Sequence, residues 1–246
     1  MPNTKQVISN GNKLKIVVIV RTMNEEKYIE PFCSSYVWAD KILVADGGST
    51  DDTVKFASLY DFVEVREFPT IVEKNGHHFN PQGRHVNFLI DWAIEEEGAD
   101  WIIFDDCDSL PNYALKQQGR LLIETAHYNN YEAVFLYRLY LWGLDKYFPL
   151  LNEPGQSMWA WHSDVDVRAR EIGDEDGGMT IENIPERENR FYIEPPVCLL
   201  HYTWPDEETT KTKLEFYHAV QGEHTKHPLE FAGPLKELPD YAKRFE

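Results

Sequence analysis

The chain has 246 residues, 42% hydrophobic and 13% aromatic, enough apolar material for one large folded domain and too much for a disordered one. Its 24 Lys and Arg face 42 Asp and Glu, a formal net charge of −18. That field repels phosphate backbones and no basic strip offsets it, so unmodified nucleic acid is not expected as a main partner. Cys33, Cys107 and Cys198 form no CxxC pair, which suits a reducing compartment. The polar stretch MPNTKQVISNGNKLK lacks the apolar core of a signal peptide. The longest apolar run, Ile16 to Val20, is too short to span a bilayer. A soluble cytoplasmic protein is expected, peripheral to a membrane surface at most.

Leu14 to Val20 is rich in β-branched residues and mostly apolar, as a strand buried on both faces should be. A helix is expected over Asn24 to Trp38, then a buried strand over Lys41 to Ala45. Ser49 to Thr53 supplies capping residues for a helix over Asp51 to Tyr60. Phe62 to Phe68 reads as a third strand, and residues 70 to 82, with Asn75-Gly76 and Pro81, as a loop. Arg84 to Glu97 is helical by its apolar face, and Trp101 to Phe104 is a fourth buried strand. Strand and helix alternate with short connections, which predicts a parallel sheet covered on both sides. The second half reads differently. Tyr131 to Trp142, Met158 to Arg168 and Pro196 to Tyr202 look like strands between long loops, followed by a helix over Asp206 to Gln221 capped by Asp206. The tail from His227 reads as a surface wrap, and no clean linker divides the chain.

Ligands of such sheets bind beyond the carboxyl ends of the strands. There the sequence places Arg21-Thr22-Met23-Asn24, Asp46-Gly47-Gly48-Ser49 and Asp105-Asp106-Cys107-Asp108. If Asp106 to Asp108 is extended, its two carboxylates point to one side, and a hard divalent cation, Mg²⁺ or Mn²⁺, is their natural partner. A solvated acidic loop capping the helix near Pro111 fits the same residues. Gly47 and Gly48 let the backbone approach a ligand closely, and Asp46 can accept from a base N–H or a ribose hydroxyl. An ordinary capped strand-to-helix turn fits equally.

Together, the strand ending Arg-Thr-Met-Asn-Glu-Glu, the strand ending Asp-Gly-Gly-Ser-Thr-Asp-Asp-Thr and the strand ending Asp-Cys-Asp resemble the family 2 glycosyltransferases, over roughly residues 14 to 112. The resemblance implies a GT-A type α/β fold. That fold has a Rossmann-like, mostly parallel central sheet with helices on both faces and a mixed-strand acceptor half. It implies a single domain, 1–246, with a nucleotide-sugar half at about 14–112 and an acceptor half at about 113–246. It implies a nucleotide pocket lined by Thr22, Asn24 and Glu25, a base, often uracil, read by Asp46, and a DxD motif at Asp106 and Asp108 holding metal on the donor diphosphate. Arg84 matches the diphosphate-side stretch. Asp105 adds a third acid beside the motif, and Ala45 stands where many relatives are bulkier. His201, ending a strand before a Lys- and Tyr-bearing helix, matches a subgroup in which a histidine completes the metal shell.

The implied activity is metal-dependent, inverting transfer of a sugar from a nucleoside-diphosphate sugar, a UDP-sugar first, to an acceptor hydroxyl of a glycan, lipid or other molecule. One carboxylate must take the hydroxyl proton. Asp164, Asp166, Glu175, Asp176 and Glu182 are candidates, with Glu182 preferred by its spacing before His201 and Asp176 next. Trp142, Trp159 and Trp161 offer either aromatic faces for sugars or core packing, and His77-His78 reads as a loop pair without function. Three rivals are weighed. A non-catalytic module of the same fold stays open. A haloacid-dehalogenase-type phosphatase would carry its DxD on the first strand, whereas three strand–helix units precede it here. A pyrophosphorylase would need a glycine-rich loop after the first strand, and residues 21–25 hold no glycine.

Overall fold

The computed structural model describes residues 13–69, 71–148, 156–172, 178–221, 229 and 234–243. In chain order the elements are β1 (Ile16–Thr22), α1 (Glu26–Ser35), β2 (Lys41–Asp46), α2 (Thr53–Ala57), β3 (Val63–Glu67), β4 (Val72–Lys74), β5 (His77–Phe79), α3 (Gln82–Asp91), β6 (Trp101–Phe104), β7 (Ser109–Pro111), α4 (Tyr113–Tyr128), β8 (Ala133–Trp142), β9 (Lys146–Tyr147), β10 (Gln156–His162), β11 (Arg168–Ile172), β12 (Gly178–Glu182), β13 (Arg190–Trp204), α5 (Glu207–Gln221) and β14 (Lys236–Glu237). Strands β3, β2, β1 and β6 pair in parallel in that order. The sheet then continues antiparallel through β10 to β8, which takes β13 in parallel and β9 antiparallel. A Rossmann-like parallel half followed by a mixed-strand half is the GT-A type α/β class expected from the sequence.

Period-two alternation explains why β1 is apolar from Ile16 to Val20. Ile16, Val18 and Val20 face one core with Ile29, Phe32 and Cys33 of α1 and Leu115, Ile123 and Ala126 of α4. Val17 and Ile19 face the other with Val86, Leu89 and Ile90 of α3. Helices therefore cover both faces of the parallel strands.

Four expectations are corrected. Residues 70 to 82 are not simply a loop: β4 and β5 form a hairpin whose turn, Asn75-Gly76, has φ of 53° and 78°. Two positive φ values in an Asn-Gly turn match the right-handed twist of hairpin strands, but strands of three residues carry no readable alternation. The expected helix to Glu97 is regular only to Asp91 and closes with a π turn over Trp92–Glu96. The expected strand over Met158 to Arg168 stops at His162, and β11 starts a separate hairpin with β12. Finally, Pro196 to Tyr202 is the middle of a 15-residue strand. Its register on β8 shifts between Ile193 and Cys198, where Pro195 and Pro196 have no N–H for the ladder. Among the described residues no helix is long and apolar enough to cross a membrane.

Candidate active site

The carboxyl ends of β1 and β6 open onto a cleft of about 550 Å³. Arg21 and Thr22 at the end of β1 with Glu25 just beyond it, and Asp106 to Asp108 following β6, form its floor. One wall is His78, Phe79 and Asn80 with Gln82 and His85 of α3. The other is His201 and Thr203 of β13 with Thr212, Lys213 and Phe216 of α5. His77 meets Phe216 edge-on at 5.7 Å and joins the two walls.

The acidic motif is not extended. Its chain turns immediately after Asp106, closed by the Ser109 N–H donating to the Asp106 carbonyl at 2.9 Å. The three acids consequently face three settings. Asp105 is fully buried, with Arg138 at 3.0 Å and the Tyr36 hydroxyl donating to it at 3.2 Å. Burial pushes its carboxyl up to about 6 against the pull of Arg138. Asp106 is met by Arg21 at 2.9 Å and by Arg138 at 3.8 Å. There burial is outweighed by Arg21, His201 and Arg138, which hold the carboxyl below the usual range.

Asp108 belongs to the far wall. The Tyr202 N–H donates to its carbonyl at 2.8 Å, and β13 pairs His201 with Ser109 on β7, so the imidazole arrives beside it. His201 Nε2 lies 3.1 Å from Oδ1 and Lys213 Nζ 3.4 Å from Oδ2. Burial would raise this carboxyl, but His201 and Lys213 outweigh it and hold it well below the usual range. Asp206 caps α5 by accepting from the Thr209 N–H at 2.7 Å, which orients the helix that carries Lys213. Glu25 is pushed up to about 8, by burial first and then by the charge of Asp108.

Among the described residues no group of three or more His, Cys, Asp or Glu is placed to hold a metal ion, so Asp106, Asp108 and His201 do not form the expected three-residue shell. Asp108 and His201 nevertheless suit a shared divalent ion. Their 3.1 Å approach matches the separation of about 3 Å between neighbouring ligands of an octahedral ion with bonds of about 2.1 Å. Mg²⁺-type sites commonly pair one or two protein ligands with substrate phosphates, so a two-ligand site suits a cation that arrives with a diphosphate.

The remaining expected residues divide. Thr22 and Glu25 line the cleft, as does Asn24, at φ 58°. The Asn24 N–H donates to Ser49 Oγ at 2.9 Å and its side-chain oxygen accepts the Thr50 N–H at 2.8 Å, so it also ties two loops together. Asp46 lies beneath the cleft. It accepts from the Gly48 N–H at 3.0 Å, the Ser49 N–H at 2.8 Å, Ser49 Oγ at 2.5 Å and Thr22 Oγ1 at 3.1 Å, which uses its acceptor positions on the loop itself. Arg84 is exposed on the outer side of α3, where Gln82 and His85 face the cleft in its place. His85 donates Nε2–H to the Ala45 carbonyl at 2.9 Å and stacks on Phe68 at 4.2 Å. Burial pushes its ring down to about 4, so the ring is neutral and Nδ1 is an acceptor.

Glu182 is away from the cleft. It is at the far end of the β11–β12 hairpin, pairs with Arg170 at 2.5 Å, and stands opposite Arg168, which reaches Asp91 at the end of α3. Asp164 and Asp166 are at the same wrong edge, because β10 runs antiparallel to β6 and delivers its end beside Asp100. Glu175 and Asp176 lie outside the described residues. Trp159 and Trp161 are core residues at 0% and 1% exposure, and Trp142 packs on Phe148. From sequence, Arg21 reads only as part of a strand-end motif and His78 only as one of a loop pair without function, and nothing singles out His85 or Lys213. His78 misled because its hairpin was unread, and Lys213 because nothing local connects it to Asp108.

No protein-family model matches the chain, and no curated protein matches it in sequence. Solved structures similar to part of it include the S. aureus TarS fragment 1–349, at 23% identity and a TM-score of 0.37 over 52% of this chain and 36% of that one. Glucosyl-3-phosphoglycerate synthase from Mycobacterium tuberculosis, in complex with Mn²⁺, UDP-glucose and glycerol 3-phosphate, matches at 22% identity and a TM-score of 0.38 over 62% of this chain and 58% of that one. The same enzyme with Mn²⁺, UDP and glucosyl-3-phosphoglycerate matches at 20% identity and a TM-score of 0.37, over the same shares. The chain thus spans well under two thirds of the length of these proteins.

Proposed function

We propose that the chain is a metal-dependent inverting glycosyltransferase of family 2 type, which moves a sugar from a nucleoside-diphosphate sugar to an acceptor hydroxyl. The observation that carries this reading is the convergence of Asp108, His201, Arg21 and Lys213 in one cleft at the carboxyl edge of a parallel sheet. Asp108 and His201 would hold Mn²⁺ or Mg²⁺, with Asp106 beside them. When bound, the ion supplies positive charge for the leaving diphosphate.

The protein's own residues do the rest. Arg21, kept in place by Asp106, faces the phosphates as a planar donor. Thr22, Asn24 and Glu25 line the nucleotide pocket, and Asp46 holds the loop beneath it. The acceptor hydroxyl attacks the anomeric carbon as the bond to the diphosphate oxygen breaks, and a carboxylate takes the hydroxyl proton. With Glu182 turned away, we assign that proton to Asp176, which lies outside the described residues, between Ile172 and Gly178 in the chain. The described residue Glu171, five positions earlier in the chain, supports the choice, since it packs against Gly83 and accepts from the Arg84 N–H at 2.9 Å, at the start of α3.

A thermal-shift screen of nucleoside-diphosphate sugars with Mn²⁺ tests the donor, with stabilisation by a UDP-sugar expected. Hydrolysis of the donor to product in water should fall at least about tenfold in Asp176→Asn and stay unchanged in Glu182→Gln. The converse would return the base to Glu182. Donor binding with no transfer to any acceptor would favour a binding module of the same fold.

A further inference from the structure

We infer that Lys213 holds the cation's place on Asp108 in the metal-free protein, yields it to a divalent ion, and then meets the donor's diphosphate. The inference rests on the donor-site reading above. The Asp108 side chain is 9% exposed, and a carboxylate so placed needs a counter-charge. Lys213 supplies it from α5, with Nζ at 3.4 Å from Oδ2 and donating to the Thr203 carbonyl at 3.1 Å.

That contact is looser than the 2.9 Å pair of Arg21 with Asp106. Lysine is a compact charge on a flexible stem, and this side chain is one third exposed, so it can leave without unpacking the core. A divalent ion bound to Asp108 would sit about 2.1 Å from the same carboxylate. An ion shared with His201 at Oδ1 and the ammonium at Oδ2 would then sit on one nearly buried carboxylate and repel each other, so the two compete. The displaced ammonium finds Asp106 already met by Arg21 and Arg138. Beyond Glu25, a cleft acid that Lys213 already faces, the next anion is the phosphate that arrives with the ion. One side chain would therefore stabilise the empty site and later serve the ligand, and the metal would bind poorly without nucleotide.

The test uses the full chain and its Lys213→Met variant, which keeps the apolar stem and removes the charge. Lys213→Gln, which keeps a donor for the Thr203 carbonyl, is the second variant should the first unfold. Mn²⁺ alone is titrated by electron paramagnetic resonance, and inorganic pyrophosphate in saturating Mn²⁺ by calorimetry. The expected result is Mn²⁺ affinity raised by about tenfold and pyrophosphate affinity lowered by a similar factor. Unchanged or weaker Mn²⁺ binding would overturn the competition, and unchanged pyrophosphate affinity would overturn the second role. If neither native protein nor variant binds Mn²⁺, with or without pyrophosphate, the donor-site reading itself fails. Native binding with no gain in the variant removes this inference alone.

Discussion

Both ends of the same four parallel strands are crowded with carboxylates, and the two ends use them differently. At the amino end, Asp40 accepts the Ile16 N–H at 3.0 Å and pairs with Lys13 and Arg120, while Asp100 accepts the Lys15 N–H at 2.7 Å. Glu97 joins Lys15 at 2.9 Å and Lys41 at 2.6 Å. These acids satisfy backbone groups at strand starts and tie neighbouring strands, which is work for the fold. At the carboxyl end, Asp106 and Asp108 are met by arginines from β1 and β8, a lysine from α5 and an imidazole from β13. Those partners can be exchanged for a ligand's charges. The kind of partner, more than the number of acids, separates an anchor from a site.

The comparison breaks most visibly at Arg138, which belongs to both worlds. Arg138→Met leaves Asp105 and Asp106 without a shared buried counter-charge, and about 3–5 kcal/mol of stability should be lost in urea unfolding. A loss below about 1 kcal/mol would mean that the carboxyls are satisfied otherwise. Next comes Glu25. Its carboxyl stands at about 8 in the folded chain against an ordinary 4.5, so the folded state keeps a proton that the unfolded chain releases. Stability should therefore fall as pH rises from about 5 through about 8. In Glu25→Gln that part of the slope disappears, and the melting-temperature gap over the native protein widens with pH. Parallel melting curves would show that Glu25 ionises freely.

At the other edge the effects shrink. Asp40→Ala should cost about 1–2 kcal/mol through the orphaned Ile16 N–H and leave nucleotide binding untouched. Weaker nucleotide binding in that variant would contradict the division between the two ends. Lys13→Ala removes a pair whose lysine is 69% exposed, and a change under about 0.5 kcal/mol is expected in the same assay.

What was legible in the sequence follows the same division. β1, β2 and β6 announced themselves because a strand covered on both faces must be apolar at every position. Their order placed Asp106 and Asp108 at the correct edge. The turn after Asp106 was not legible, since the geometry of a three-residue motif depends on where His201 and Tyr202 of β13 pin Ser109 and Asp108. Glu182 was misread because distance along the chain before His201 says nothing about which way a hairpin runs. Lys213 and Arg138 come to the acids over separations of 105 and 33 residues, which only the folded sheet connects.

The most direct test of the account is calorimetric binding of a nucleoside diphosphate to the native chain and to Asp108→Asn, each with and without Mn²⁺. The account expects binding by the native chain to require Mn²⁺, and affinity to fall at least about a hundredfold in the variant, as removal of a metal ligand should cause. Equal affinity in the variant, or binding by the native chain that ignores Mn²⁺, would contradict it.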